Sequence, residues 1–152
     1  MSVLKSKRTQ TPLEVLAEAR NLALYTIKLC ADEGKFPKRY RWCLSKDIVR
    51  AATKVSEDCA KANSIFVNDE ESYKLRRGYQ QIALAELEGL ENNMILAFEL
   101  FDGLRHMDPE DKPKKRINIA SWTAQKVKVK SMLLAWKKSD AEHFKAAMAN
   151  RC

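Results

Sequence analysis

The run Lys35-Phe36-Pro37-Lys38-Arg39-Tyr40-Arg41-Trp42 sets four cations, three aromatics and one proline in eight positions, with no acidic residue among them. Cations neutralise phosphates, and aromatic faces stack on bases or cover apolar surface. Two readings fit this composition: contact with a polyanion, or a solvated loop whose aromatics fold back onto a core. Further cations extend the theme. Lys46 and Arg50 continue the first cluster, and Lys112, Lys114, Lys115 and Arg116 form a second, which read alone is a solvated loop. Lys126, Lys130, Lys137 and Lys138 form a third, and Arg76 and Arg77 stand as a pair that nearby Glu70 and Glu71 can neutralise. Many weak phosphate contacts acting together favour a polyanion partner through counterion release. No base-reading motif accompanies them, so the expected binding is sequence-tolerant and salt-sensitive.

Catalytic constellations are missing. The two histidines, His106 and His143, stand outside any Glu-x-x-His pair, so a di-iron bundle site is not expected. The glycines are isolated at 34, 78, 89 and 103, which leaves no phosphate-cradling loop. Cys30, Cys43, Cys59 and Cys152 lack metal-ligand spacing and read as reduced thiols, the first three on or near packed faces. Glu86 and Glu88, like Glu70 and Glu71, read as solvated helix faces. The expectation is a protein that is not an enzyme and needs no metal or cofactor.

The elements that position these cations are helical. A chain of 152 residues, 45% hydrophobic and 32% charged, reads as one soluble domain with a core of its own. No apolar run reaches membrane-span length and no secretory signal is evident, so a cytoplasmic protein is expected. The net charge of +8 is uneven: +6 over residues 1–50, −5 over 51–104 and +7 over 105–152. Such segregation favours an electropositive surface region.

Residues 1–11 read as a basic arm. Thr11-Pro12-Leu13-Glu14 starts a helix over 12–33, with Leu16, Ala19, Ala23, Ile27 and Cys30 inward and Gly34 as its stop. Ser45 is the expected cap of a second helix, about 44–66, with the seam Leu44, Ile48, Ala52, Val55, Cys59 and Ala62. Asn68-Asp69-Glu70-Glu71 opens a third, 69–104, whose stripe runs through Tyr79, Ala83, Leu87, Leu90, Met94, Ala97, Phe98 and Phe101. A polar loop with two prolines precedes a fourth, 118–148. In it Trp122, Val129, Met132, Leu133 and Trp136 share an arc, with Lys126, Lys130 and Lys137 along its edge. Ala120, Val127 and Leu134 form a second apolar line, read either as part of a broad core face or as a subunit contact. Ser139-Asp140-Ala141-Glu142 reads as a capping box that restarts the last turns. Four helices with mostly short connections point to an all-α, antiparallel up-down bundle spanning 12–150.

The order of these motifs resembles a known family. Phe36-Pro37-Lys38-Arg39-Tyr40, Ala62-Asn63-Ser64-Ile65, Leu75-Arg76-Arg77-x-Tyr79 and Lys137-Lys138-Ser139-Asp140 together resemble the four-helix bundle proteins typified by the accessory variability determinant of diversity-generating retroelements. The bundle protein encoded within ribosomal RNA intervening sequences is a more distant likeness. The resemblance spans about residues 5–145. It implies a ring-like homopentamer without an active site, which binds RNA and DNA with little sequence preference and associates with a reverse transcriptase in mutagenic retrohoming. Lys38, Arg39, Arg76, Arg77, Lys137 and Lys138 match its basic motif positions. Ser121–Lys138 holds no acidic residue and departs from the resemblance, whose fourth helix is expected to be more acidic. The alternative is an interaction bundle whose basic surfaces pair with acidic surfaces of neighbouring subunits or of another protein. Within the opening segment, Phe36, Tyr40 and Trp42 are expected to pin the helix junction, while Lys38, Arg39 and Arg41 point outward.

Overall fold

A computed structural model describes residues 12–104 and 112–150 of the chain. The basic arm, the proposed Thr11 cap, His106 and Cys152 lie outside the described residues. The described residues are all-helical: α1 (Pro12–Ala31), α2 (Lys46–Asn63), α3 (Glu70–Leu104) and α4 (Ile119–Ala149), with a 3-10 turn at Lys38–Tyr40 and a π-helical turn at Arg41–Ser45 before α2. α1 packs on α2 and α4, and α3 packs on the same two, so a single core closes between them. None of these helices is long and apolar enough to cross a membrane.

The expected seam of α2 is buried at every position, from Leu44 and Ile48 through Ala52, Val55 and Cys59 to Ala62. α3 buries Ala83, Leu87, Leu90, Met94, Ala97 and Phe101 as its stripe requires, adds Gln80, and leaves Tyr79 and Phe98 half-buried. α4 buries its whole expected arc, Trp122, Val129, Met132, Leu133 and Trp136.

The face of α1 is turned from the expected one. Val15, Leu22, Thr26 and Leu29 join Leu16, Ala19 and Ala23 inside, while Ile27 is exposed. Thr26 is tolerated there because its hydroxyl donates to the Leu22 carbonyl at 2.8 Å and accepts from Trp122 Nε1 at 3.0 Å.

The helix ends correct three expectations. Ser45 makes no side-chain cap. The chain enters α2 through the π turn, where the Lys46 amide already bonds the Arg41 carbonyl. Gly34 does not stop α1 through left-handed backbone. A Cβ there would lie 3.1 Å from Asp32 Oδ1 and 3.4 Å from Lys115 Cδ, so its use is close approach. Ser139-Asp140 does not restart α4, which runs unbroken to Ala149 because Asp140 is drawn into contacts with α3. The acidic start of α3 holds as read: Asp69 accepts from the Ser72 amide at 2.7 Å, and Ser72 Oγ accepts from the Asn68 and Asp69 amides.

Candidate nucleic-acid interface

The first cationic cluster is built on a turn at the end of α1. The amides of Lys35 and Phe36 both bond the Asp32 carbonyl, at 3.0 and 2.8 Å, and the Gly34 amide bonds Asp32 Oδ1 at 2.9 Å. This tight turn drives Phe36 into the core, where it meets Phe101 edge-on at 5.0 Å between ring centres and Trp122 at 6.1 Å. Tyr40 also packs on Phe101, at 5.4 Å between ring centres. Between these two anchors the 3-10 turn holds Lys38 and Arg39 exposed.

One backbone bond brings in the second cluster. The Lys115 amide donates to the Gly34 carbonyl at 2.8 Å, which lays the segment before α4 against the turn after α1. The outcome is an open polar groove of about 360 Å³ lined by Glu33, Gly34, Pro37, Lys38, Arg39, Tyr40, Lys112 and Lys114. Among the described lining residues there are four cations and one carboxylate, Glu33, which stands 3.8 Å from Arg41 in an exposed pair of little energetic weight. Lys38, Lys112 and Lys114 have no carboxylate within 4.0 Å among the described residues.

Beyond the groove the cations continue along the exposed side of the junction. Arg41, Lys46 and Arg50 are exposed, and Lys46 Nζ stands 5.4 Å from the Trp42 ring centre. Trp42 itself is 77% exposed, against the expectation that it pins the helix junction. Of the three aromatics in this segment, Phe36 and Tyr40 are the two that pack on Phe101.

The remaining predicted cations fall elsewhere. Lys126 is 3% exposed, sits in the inward stripe of α4, and bonds Glu88 at 3.1 Å and Glu91 at 3.0 Å. Burial pushes its ammonium pKa down, but the two carboxylates outweigh that and hold it above the usual lysine value. Lys130 shares Glu88 at 2.6 Å. The same two lysines hold the Glu88 carboxyl below the usual glutamate value, chiefly through the Lys130 and Lys126 hydrogen bonds. Arg76 is mostly buried, bonds Asp140 at 3.0 Å and also donates to the Ile65 carbonyl. These cations are occupied within the fold, and a surface role for Lys126 and Arg76 is corrected accordingly.

Arg77 bonds the Tyr73 hydroxyl at 2.9 Å, and its charge, after partial burial, helps lower the Lys137 pKa. Arg77 and Lys137 therefore share a second positive region, well along the bundle from the groove, with Lys138 exposed beside it. The predicted cations thus do not form one face. Lys38, Arg39, Arg41, Lys46 and Arg50 stay together at the junction, and Lys112 and Lys114 join them.

No family model, curated protein or solved structure matches the chain. The site must therefore be read from its own chemistry. Among the described residues no group of three or more His, Cys, Asp or Glu side chains is placed to hold a metal. Burial pushes the Cys30 thiol up to about 12, and burial with the Asp58 charge does the same to Cys59. Neither is a nucleophile at neutral pH. Cys43 is exposed, contrary to the packed position expected of it. What the junction offers is a positively charged, water-accessible groove with an aromatic rim, suited to phosphates.

Sequence reading names Lys112 and Lys114 as a basic run but not as candidate binding residues. Nothing in their spacing sets them beside Lys38. The available signal was Gly34, the glycine directly before the first cationic run, whose missing side chain allows the second run to approach.

Proposed function

We propose that this chain is a non-catalytic nucleic-acid-binding accessory protein that engages RNA and DNA through the junction groove. The observation that carries this reading is the convergence of Lys38, Arg39, Lys112 and Lys114 on one open groove, three of them without a carboxylate partner among the described residues. The partnership with a reverse transcriptase, the role in a diversity-generating retroelement and the pentameric ring rest on the motif resemblance. The antiparallel up-down arrangement is supported by contact order. Glu18 meets Lys128 while Thr26 meets Trp122, and Arg76 meets Asp140 while Glu88 meets Lys126.

Fluorescence anisotropy with RNA and DNA over a salt series tests the binding, and pull-down with a reverse transcriptase encoded beside this chain tests the partnership. Substituting Lys38, Lys112 and Lys114 together by alanine is expected to make the salt slope on a single strand shallower by about 2 and to weaken binding on the order of 100-fold at moderate salt. Thermal stability should not change, because all three side chains are exposed. Absence of binding at low salt, or an unchanged slope in the triple variant, overturns the reading.

A second reading, an interaction bundle whose copies pair with one another, is favoured by the outer side of α3. Leu75, Gly78, Ile82, Ala85, Gly89 and Leu96 recur at helical spacing on a flank of α3 outside the core stripe and are all exposed. A Cβ at Gly78, Gly89 or Gly103 would meet nothing within 4 Å, so no internal packing requires these glycines. Val127 and Leu134 are exposed on α4, among its lysines, which excludes a broad core face for that line and offers a complement to the acidic α3. Gly89→Leu is expected to raise stability by about 0.5 kcal/mol or more through helix propensity, yet to dissociate the oligomer in light scattering coupled to gel filtration. A chain that is monomeric before substitution removes this reading.

A further inference from the structure

Trp42 is the one large aromatic of the junction that the core does not use. Phe36 is 2% exposed and Tyr40 leans on Phe101, whereas Trp42 stands 77% exposed in the adjoining turn. A tryptophan ring is a large apolar surface, and left in water it adds little to the fold beyond its contact with Lys46. Its surroundings are cationic: Arg41 precedes it, Lys46 stands over its ring at 5.4 Å, and Tyr40, two residues back, lines the groove. Two residues of backbone span at most about 7 Å, so the ring and the groove lie within reach of neighbouring nucleotides.

We propose that the junction takes single-stranded nucleic acid, with one unpaired base stacked on Trp42 and the flanking phosphates in the groove of Lys38, Arg39, Lys112 and Lys114. This inference rests on the nucleic-acid reading and names its ligand class. A duplex offers phosphates to the same groove but hides its base faces in the stack, so an exposed indole gains only from an unpaired base. Stacking on an aromatic face tolerates any base, in keeping with the absence of a base-reading motif. Ribose and deoxyribose strands present the same base faces and phosphates, so both are expected to bind.

The test uses the full-length chain, with a short mixed-sequence DNA strand, the same sequence as RNA, and the corresponding DNA duplex as probes. Trp42→Ala is expected to weaken binding of both single strands about tenfold, to leave duplex binding and the salt slope unchanged, and to leave the melting temperature unchanged. Trp42→Phe should restore most of the single-strand affinity. Addition of either single strand should quench indole fluorescence in wild type, with the quench reduced in Trp42→Phe. Equal losses on single strand and duplex, or no loss on either, overturn the inference. So does loss of self-association or of polymerase capture in Trp42→Ala with single-strand affinity intact, because the ring then serves a protein contact. Failure here is separable from failure of the broader reading. If wild type binds and the triple lysine variant does not, while Trp42→Ala binds as wild type, only the stacking proposal falls. If wild type binds none of the probes, both fall.

Discussion

Asp140→Ala is expected to lower folding stability by about 3 kcal/mol, measured as a shift of the urea midpoint at constant slope. Asp140 accepts from Arg76 Nη1 at 3.0 Å and from Gln80 Nε2 at 3.0 Å, and the carboxylate and guanidinium side chains are 14% and 16% exposed. Removing the carboxylate leaves a mostly buried guanidinium without its counter-charge and a buried amide without its acceptor. Among the described residues Arg76 Nε and Gln80 Oε1 lack hydrogen-bond partners. Oε1 is an unused acceptor, but a neutral amide oxygen does not replace the counter-charge that Arg76 loses. The double variant Arg76→Met/Asp140→Leu should recover most of the loss, since replacing both ions by apolar groups avoids the stranded charge. Binding discriminates the roles. If Arg76 is structural, Arg76→Met loses stability while its folded fraction binds nucleic acid as wild type does. A stable Arg76→Met with weakened binding would return Arg76 to the interface.

That outcome bears on why some positions were legible in the sequence and others were not. The seam of α2 was readable because apolar and polar side chains there separate cleanly at 3-and-4 spacing. α4 carries the same geometric signal at Lys126, which stands between Trp122 and Val129 in the 4-3-4-3 series that continues to Leu133 and Trp136. Its residue type hides the signal. A lysine reads as surface unless the carboxylates that make its burial tolerable are known, and Glu88 and Glu91 come from another helix. Ile27 and Thr26 exchange places for a related reason. Hydropathy ranks isoleucine as the inward residue, but a threonine in a helix satisfies itself on the preceding turn and can then serve a partner, here the Trp122 indole. Arg76 and Arg77 are adjacent and chemically alike, yet one faces Asp140 and the other Tyr73, and adjacency carries no information about that split. The groove is the least legible part. It depends on long-range contacts of residues 115–117, among them the Lys115 amide on the Gly34 carbonyl and buried Ile117, and apart from Gly34 the local sequence of neither segment marks them.

The core beneath the groove makes a second strong expectation, Trp122→Ala, which should cost about 4 kcal/mol. Trp122 is fully buried, its Nε1 donates to Thr26 Oγ1, and its ring supports Phe36 edge-on. Trp122→Phe should cost much less. It keeps most of the volume, and Thr26 loses only a donor it accepted from while its own hydroxyl remains satisfied by Leu22. Phe36 is the stem from which residues 37–42 project, so loss of its support at Trp122 should loosen the placement of Lys38, Arg39 and Trp42 together. The folded fraction of Trp122→Ala is therefore expected to bind nucleic acid more weakly than wild type. Trp136→Ala supplies the control. It removes another buried tryptophan, but one whose ring lies 5.9 Å from the Arg76 guanidinium, away from the junction. Stability should fall in both variants, measured by urea unfolding, and affinity corrected for the folded fraction should fall only in Trp122→Ala. If both variants bind as wild type after that correction, the junction holds its shape without the aromatic core, and the cations are placed by the backbone turn at Asp32 alone.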